Sequence, residues 1–129
     1  MAQLRAGSET MKLLHFGFFD DLPLEQRRDA VHRLCSETQR HPDTEKSMNY
    51  LRAGVPFMLI AGVTRDWLSE DQKVIGPPHV LTDGKWSWTA DVSYYLERYG
   101  LSLPEDFVTH MKSNDWKVPK VIDLLGLEL

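Results

Sequence analysis

Histidine and cysteine are the side chains most able to bind a metal or attack a substrate, and this chain of 129 residues has five of the first and one of the second. The histidines do not follow an H-x3-H or H-E-x-x-H pattern, and one cysteine cannot form C-x-x-C. Neither G-x-G-x-x-G nor a Walker A loop occurs. The spacing therefore predicts no metal site and no nucleotide cofactor.

Cys35 is the candidate thiol nucleophile. It follows Leu34 and lies one turn after Val31 on the apolar face of a predicted helix. Burial disfavours the thiolate, so a cysteine in this position is expected to pack in the core and to be inert. His32 could approach the thiol, but the sequence shows no third group to orient it. We expect no catalytic residue.

Two carboxylate pairs could be imagined as a general acid and base, namely Asp20–Asp21 and Glu105–Asp106. Both pairs lie where a predicted helix begins, and negative charge is stabilised there by unpaired backbone N–H groups. Helix capping therefore accounts for them without catalysis.

The net charge of −4 lies entirely in the second part of the chain. Residues 1–54 hold eight basic and eight acidic residues, whereas residues 55–129 hold seven basic and eleven acidic ones. This balance argues against binding to nucleic acid through its phosphates. It could steer a basic partner toward the chain, or it could simply keep the surface soluble.

The chain also predicts a cytoplasmic location. The longest apolar run, "VPFMLIAGV" (55–63), is half of the roughly 20 residues that a membrane span needs. The first ten residues do not resemble a secretory signal, and a single cysteine suits a reducing compartment. We expect no association with membranes.

The pattern of apolar residues predicts one compact α+β domain over 11–129, preceded by a flexible segment, 1–10. Its small sheet contains antiparallel strands and is packed by four to five helices. Helices are expected from Leu24 to near Pro42, over 44–53, up to Gly100, after a capping box Ser102–Glu105, and over 118–125. "VPFMLIAGV" is expected to be a central strand, and Asp83-Gly84 to be the type I′ turn of a hairpin.

The aromatic residues concentrate around that hairpin. Trp86 and Trp88 share one face of a strand, and Tyr95 and Tyr99 lie on the apolar stripe of the next helix, so these four are expected in the core. Acidic residues surround them, a composition that suits a basic protein partner. The candidate partner-binding residues are Asp83, Asp91, Tyr94, Glu97, Glu70 and Asp71.

Three segments carry a resemblance: "YLRAG" (50–54), "LTDGKWSWTADVSYYLERYGLSLPEDF" (81–107) and "WKVP" (116–119). The chain resembles a set of small, mostly uncharacterised bacterial proteins with a YLRxG…DGxWxW…YYxExY…LPxxF pattern. Thr89 stands where that pattern often has proline. Some of these proteins look like immunity proteins encoded beside secreted toxins, so the resemblance implies that role.

We therefore expect a non-enzymatic, cytosolic binding protein of the immunity type, a monomer or weak dimer that covers the active site of a cognate toxin. The alternative is a small-molecule-binding domain or small enzyme with a pocket beneath the Trp86/Trp88 hairpin, using His79 or His110. A third possibility is a subunit of a larger complex. A deep pocket with a histidine beside a carboxylate would favour the alternative, and a flat acidic face would favour the first expectation.

Overall fold

A four-stranded mixed sheet lies at the centre of the fold. The computed structural model describes residues 11–36, 43–120 and 122–129. In chain order the strands are β1 (Met11–Lys12), β2 (Leu14–Phe16), β3 (Val55–Met58), β4 (Thr64–Arg65), β5 (Val74–Gly76), β6 (Val80–Thr82), β7 (Trp86–Thr89) and β8 (Leu127–Glu128). The helices are α1 (Leu24–Ser36), α2 (Thr44–Arg52), α3 (Asp91–Tyr99) and α4 (Glu105–Ser113), with two 3₁₀ turns, Phe19–Asp21 and Leu124–Gly126.

The order of strands in the central sheet is β2-β7-β6-β3. β2 pairs with β7 in parallel, while β7 with β6 and β6 with β3 pair antiparallel. Two short pairs flank this sheet: β1 with β8 in parallel and β4 with β5 antiparallel. The fold is a single α+β domain, as the apolar pattern predicts.

Several helix boundaries follow from local sequence. α1 begins at Leu24, directly after Pro23, as predicted. α3 ends at Gly100, whose φ of 71° is left-handed, and its N–H donates to the Leu96 carbonyl. The predicted capping box at Ser102 is wrong, because α4 begins with Pro104 as its N-cap residue and without a side-chain cap.

The aromatic core is confirmed. Trp86 stacks on Phe107 with a centroid distance of 4.4 Å and an interplanar angle of 10°. Trp88 packs on the same ring, and its indole N–H donates to the Leu51 carbonyl over 3.1 Å. Tyr95 is buried beside them in the same cluster, while Tyr99 is partly buried against it. β7 and the helices α2, α3 and α4 are thereby joined in one core.

The turn between β6 and β7 differs from the predicted one. A type I′ turn needs a positive φ at both central residues, but of Asp83, Gly84 and Lys85 only Gly84 has one, at 98°. The Asp83 side chain instead accepts from the N–H groups of Lys85 and Trp86. This turn is therefore stabilised by the side-chain carboxylate of Asp83 and does not have two left-handed central residues.

The run "VPFMLIAGV" is not a central strand. Only Val55–Met58 is extended, as β3, and β3 is an edge strand. Pro56 has no N–H to donate, which confines it to an edge, and Gly62 has a left-handed φ of 110°. The residues after β3 are consequently exposed instead of buried.

The predicted final helix is also wrong, since the described residues of 118–125 are irregular up to the 3₁₀ turn Leu124–Gly126. Four α-helices are thus present in the described part of the chain. The predicted flexible segment 1–10 and the predicted end of the first helix near Pro42 lie outside the described residues.

We predict that Gly54→Ala lowers the free energy of unfolding by about 1–3 kcal/mol, the usual cost of overpacking a core. An added Cβ would lie 2.5 Å from Cζ2 of Trp88 and 2.9 Å from Cβ of Leu81. Urea denaturation would measure the loss. The exposed neighbour provides a control, because Ala53→Ser adds one atom outside the core and should change stability by less than about 0.5 kcal/mol. Equal unfolding midpoints for both variants would contradict this account of Gly54.

Candidate functional site

A cavity of about 300 Å³ lies where the N-terminus of α3 meets the end of β3 and the 3₁₀ turn Phe19–Asp21. We call it the acidic cavity, because the described residues that line it include three aspartates and no basic residue. Its apolar walls are Phe18, Phe19, Met58, Ile60, Pro78, Val80 and Leu129, and its polar residues are Asp20, Asp21, Thr64, Thr89 and Asp91. Apolar walls with a few convergent polar groups are typical of ligand sites.

Asp91, the first residue of α3, is 3% exposed at this cavity. Its carboxylate accepts from the Thr89 hydroxyl over 2.6 Å and from the Thr64 hydroxyl over 3.4 Å. Its pKa is raised from 3.8 to about 6: burial is the largest cause, the nearby charge of Asp20 acts in the same direction, and the hydrogen bonds from Thr89 and Thr64 oppose both. Asp91 is thus a buried acid whose charged form is poorly compensated.

Asp20 is held at the cavity by the loop that follows β4. Its Oδ1 accepts from the indole N–H of Trp67 over 3.0 Å, and its carbonyl accepts from the Arg27 guanidinium. The guanidinium carbon of Arg27 also lies 5.1 Å from the centre of the Trp67 ring. These contacts fix the second acid of the site.

Met58 and Ile60 line this cavity and belong to an exposed stretch, residues 58–63, which we call the apolar segment. Met58, Leu59, Ile60 and Val63 are all exposed, Leu59 to 74%. His79 anchors the segment, because its Nδ1 accepts from the backbone N–H of Ile60 over 2.9 Å. A contiguous exposed apolar stretch beside a cavity is characteristic of an interaction surface.

A second buried acid, Asp66, fastens the loop 66–73 to α3. Its Oδ2 accepts from the hydroxyls of Tyr94 and Tyr99 over 2.6 and 2.7 Å, and its Oδ1 accepts from the N–H groups of Leu68 and Ser69. Burial alone would raise the pKa of Asp66, but these four hydrogen bonds outweigh it and hold the pKa below its ordinary value. Asp66 is therefore a compensated, structural carboxylate.

Asp83 is the third buried acid, and it lies under the β6–β7 turn. Beyond its two backbone bonds, its Oδ2 accepts from the Tyr50 hydroxyl over 2.5 Å and from Nε2 of His110 over 2.9 Å. Asn114 donates to the Tyr50 hydroxyl over 2.9 Å. His110 and Asp83 border an open cleft of about 400 Å³, which we call the His110 cleft. A histidine oriented by a carboxylate is an arrangement found in general bases.

The structure separates the six predicted partner-binding residues. Asp83 and Asp91 are each 3% exposed and lie in different clusters, and both carboxylates are held in the interior by hydrogen bonds. Tyr94 is partly buried with its hydroxyl on Asp66. Glu97, Glu70 and Asp71 are exposed, and Glu97 forms an ion pair with Arg52 over 3.0 Å.

The remaining candidate groups also have definite places. Cys35 lies in the core, as expected, and burial raises the pKa of its thiol to about 11, with a smaller contribution from the charge of Asp66. The described residues contain no group of three or more His, Cys, Asp or Glu that could hold a metal ion. In the same residues, every helix is too short or too polar to cross a membrane.

Sequence reasoning missed the acidic cavity because its residues come from five separate stretches of the chain. Thr64, Met58 and Ile60 carry no motif, and their approach to Asp91 depends on tertiary packing. One signal was present: Pro56 and Gly62 mark "VPFMLIAGV" as an unfavourable central strand, which would have placed its apolar residues at the surface.

The chain was compared with family models, with curated protein sequences and with solved structures, and none of the three comparisons finds a match. We therefore infer the function from the geometry of the acidic cavity and of the His110 cleft.

We predict that Asp91→Asn flattens the dependence of stability on pH. Because its pKa is raised in the folded state, Asp91 stabilises the fold fully below about pH 4, and this contribution, about 3 kcal/mol, is lost as the pH rises through about 6. The neutral amide cannot titrate, so the variant should be more stable than the wild type at neutral pH.

Chemical denaturation across this pH range would measure the effect. Asp29→Asn, at an exposed position of α1, is the control and should follow the wild-type profile. Parallel profiles for Asp91→Asn and the wild type would show that Asp91 has no raised pKa.

Proposed function

We propose that the protein is a non-enzymatic, cytosolic binding protein of the immunity type, which neutralises a secreted bacterial toxin by covering its active site. The observation that carries the proposal is the exposed apolar segment beside the acidic cavity. Interfaces of this kind combine a few buried apolar anchors with charges that select the partner.

The chemistry of the partner follows from charge. Asp20, Asp21 and Asp91 line the acidic cavity, and its lining has no basic residue among the parts of the chain that the structure describes. Residues 55–129 carry the whole net charge of −4. A basic toxin domain would be attracted to this face over a distance of about 8–10 Å at physiological salt. The resemblance of residues 50–119 to proteins encoded beside toxins supports the same partner.

The apolar segment would supply the anchors. Leu59 is the most exposed of its side chains, and it projects from a backbone that His79 holds in place. Burial of an exposed leucine at an interface contributes about 1.5–3 kcal/mol, enough for a hot spot. The loop is positioned in advance of binding, so less entropy is lost on association.

The second candidate is a small enzyme or small-molecule-binding domain, and one observation favours it. His110 donates to buried Asp83 beneath the turn, in an open cleft. However, none of the described residues that line that cleft is a serine, threonine or cysteine, so an enzyme that used these residues would have to activate water. Asp83 also receives three other hydrogen bonds, and its structural role in the turn accounts for the cluster.

We predict that Leu59→Lys abolishes neutralisation of the cognate effector domain, while Leu125→Lys does not. Leu125 is 94% exposed and lies in the 3₁₀ turn Leu124–Gly126, outside both the apolar segment and the lining of the acidic cavity. The same change in charge and size is therefore made away from the proposed contact face. Co-expression of the effector domain with each variant, read as colony formation, would measure neutralisation. Titration calorimetry should show affinity at least about 30-fold weaker for Leu59→Lys alone.

Each alternative outcome has a meaning. Absence of protection by the wild type would refute the immunity role, and equal protection by all three proteins would refute the apolar segment as the contact face. His110→Gln retains a donor to Asp83 and should protect fully. Loss of protection by this folded variant, with binding unchanged, would favour the enzymatic candidate.

A further inference from the structure

The three buried aspartates differ in how their charge is compensated. Asp66 and Asp83 each accept four hydrogen bonds from side-chain and backbone donors. Asp91 accepts a short bond from Thr89, a long one of 3.4 Å from Thr64, and one from its own backbone N–H. Asp91 thus accepts fewer hydrogen bonds than the other two acids, and one of them is long, so it retains capacity for a charged donor.

Asp91 also lies where a charged donor could reach it. It lines a cavity of about 300 Å³ whose other walls are mostly apolar. Its neighbour Asp20 is close enough for its charge to act on Asp91. The exposed side chains of Met58, Ile60 and Leu129 form the rim, so a ligand would enter past apolar atoms before it met the acids.

This arrangement selects a ligand with two parts. The acids favour a cation that can donate several hydrogen bonds, and the walls favour a short hydrocarbon stem. Ammonium or guanidinium at the end of three or four methylene groups has both parts and fits the volume. An inorganic cation would satisfy the acids but leave the apolar walls unfilled.

We propose that the acidic cavity is a binding site for an organic cation on an apolar stem, and that its occupant is a lysine or arginine side chain of the partner. The choice of the partner's side chain as the source rests on the proposed function. The cation would pair with Asp91 and Asp20, and its stem would lie along Met58 and Ile60. The toxin would thus be anchored by one inserted basic residue, surrounded by the contacts of the apolar segment.

Small probes test the site without the partner. n-Butylammonium and n-butylguanidinium would be titrated into the protein at neutral pH, and backbone amide shifts of Phe18, Thr64, Thr89 and Asp91 would be followed by NMR. 1-Butanol has the same stem without charge, and methylammonium has the charge without the stem. We expect both butyl cations to bind at least tenfold more tightly than either comparison compound.

Asp91→Asn identifies the acid responsible. The variant should bind 1-butanol as the wild type does, while the tenfold preference for the cations disappears. Asp29→Asn should change neither the binding of 1-butanol nor the preference for the cations. Equal binding of cation and alcohol by the wild type, or an unchanged preference in Asp91→Asn, would overturn the site.

The neutralisation assay then tests the source of the cation. We expect Asp91→Asn to weaken the effector complex at least tenfold, with Leu59→Lys also defective. If the probes bind but Asp91→Asn still neutralises the toxin, the partner's side chain is not the occupant, and the site takes a free amine. If the probes bind but Leu59→Lys protects as well as Leu125→Lys, the proposed contact face fails while the cation site stands.

Discussion

A carboxylate that leaves water must find donors inside the protein, and this requirement organises the fold. Asp66 attaches the loop 66–73 to α3 through two tyrosine hydroxyls and two backbone N–H groups. Asp83 closes the β6–β7 turn and connects it to α2 and α4 through Tyr50 and His110. Where donors are sufficient the acid is structural. Asp91 has the fewest strong donors, and it lines the acidic cavity.

The features that could be predicted from the sequence are those with a local cause. The start of α1 after Pro23, the end of α3 at Gly100 and the shared face of Trp86 and Trp88 depend on backbone preferences and on the period of a strand. The buried acids could not be predicted in this way. From sequence alone, an aspartate beside an aromatic cluster is expected to be a solvated charge. Only the contact with distant residues, such as that of Tyr50 with Asp83, shows that the carboxylate is buried in the protein interior.

The distribution of the candidate partner-binding residues has a related explanation. Acidic residues near one another in sequence were expected to form one face, yet Asp83 and Asp91 lie in separate clusters. The apolar run 55–63 was expected in the core, because composition does not distinguish a buried strand from an exposed interaction segment. What distinguishes them is backbone chemistry: Pro56 cannot donate within a sheet, and Gly62 adopts a left-handed conformation that ends extended structure.

The parallel pairings place the two ends of the described chain side by side. Met11 is opposite Leu127, and Phe16 is opposite Trp88, while Phe18 and Leu129 face the same acidic cavity. Closing such long loops is slow, because the entropy is lost before the contacts form. The cavity can be complete only after residue 129 has left the ribosome and β8 has docked. A nascent chain would therefore have its aromatic core before it had its binding site, and it could not engage a ligand there until residue 129 had emerged and β8 had docked.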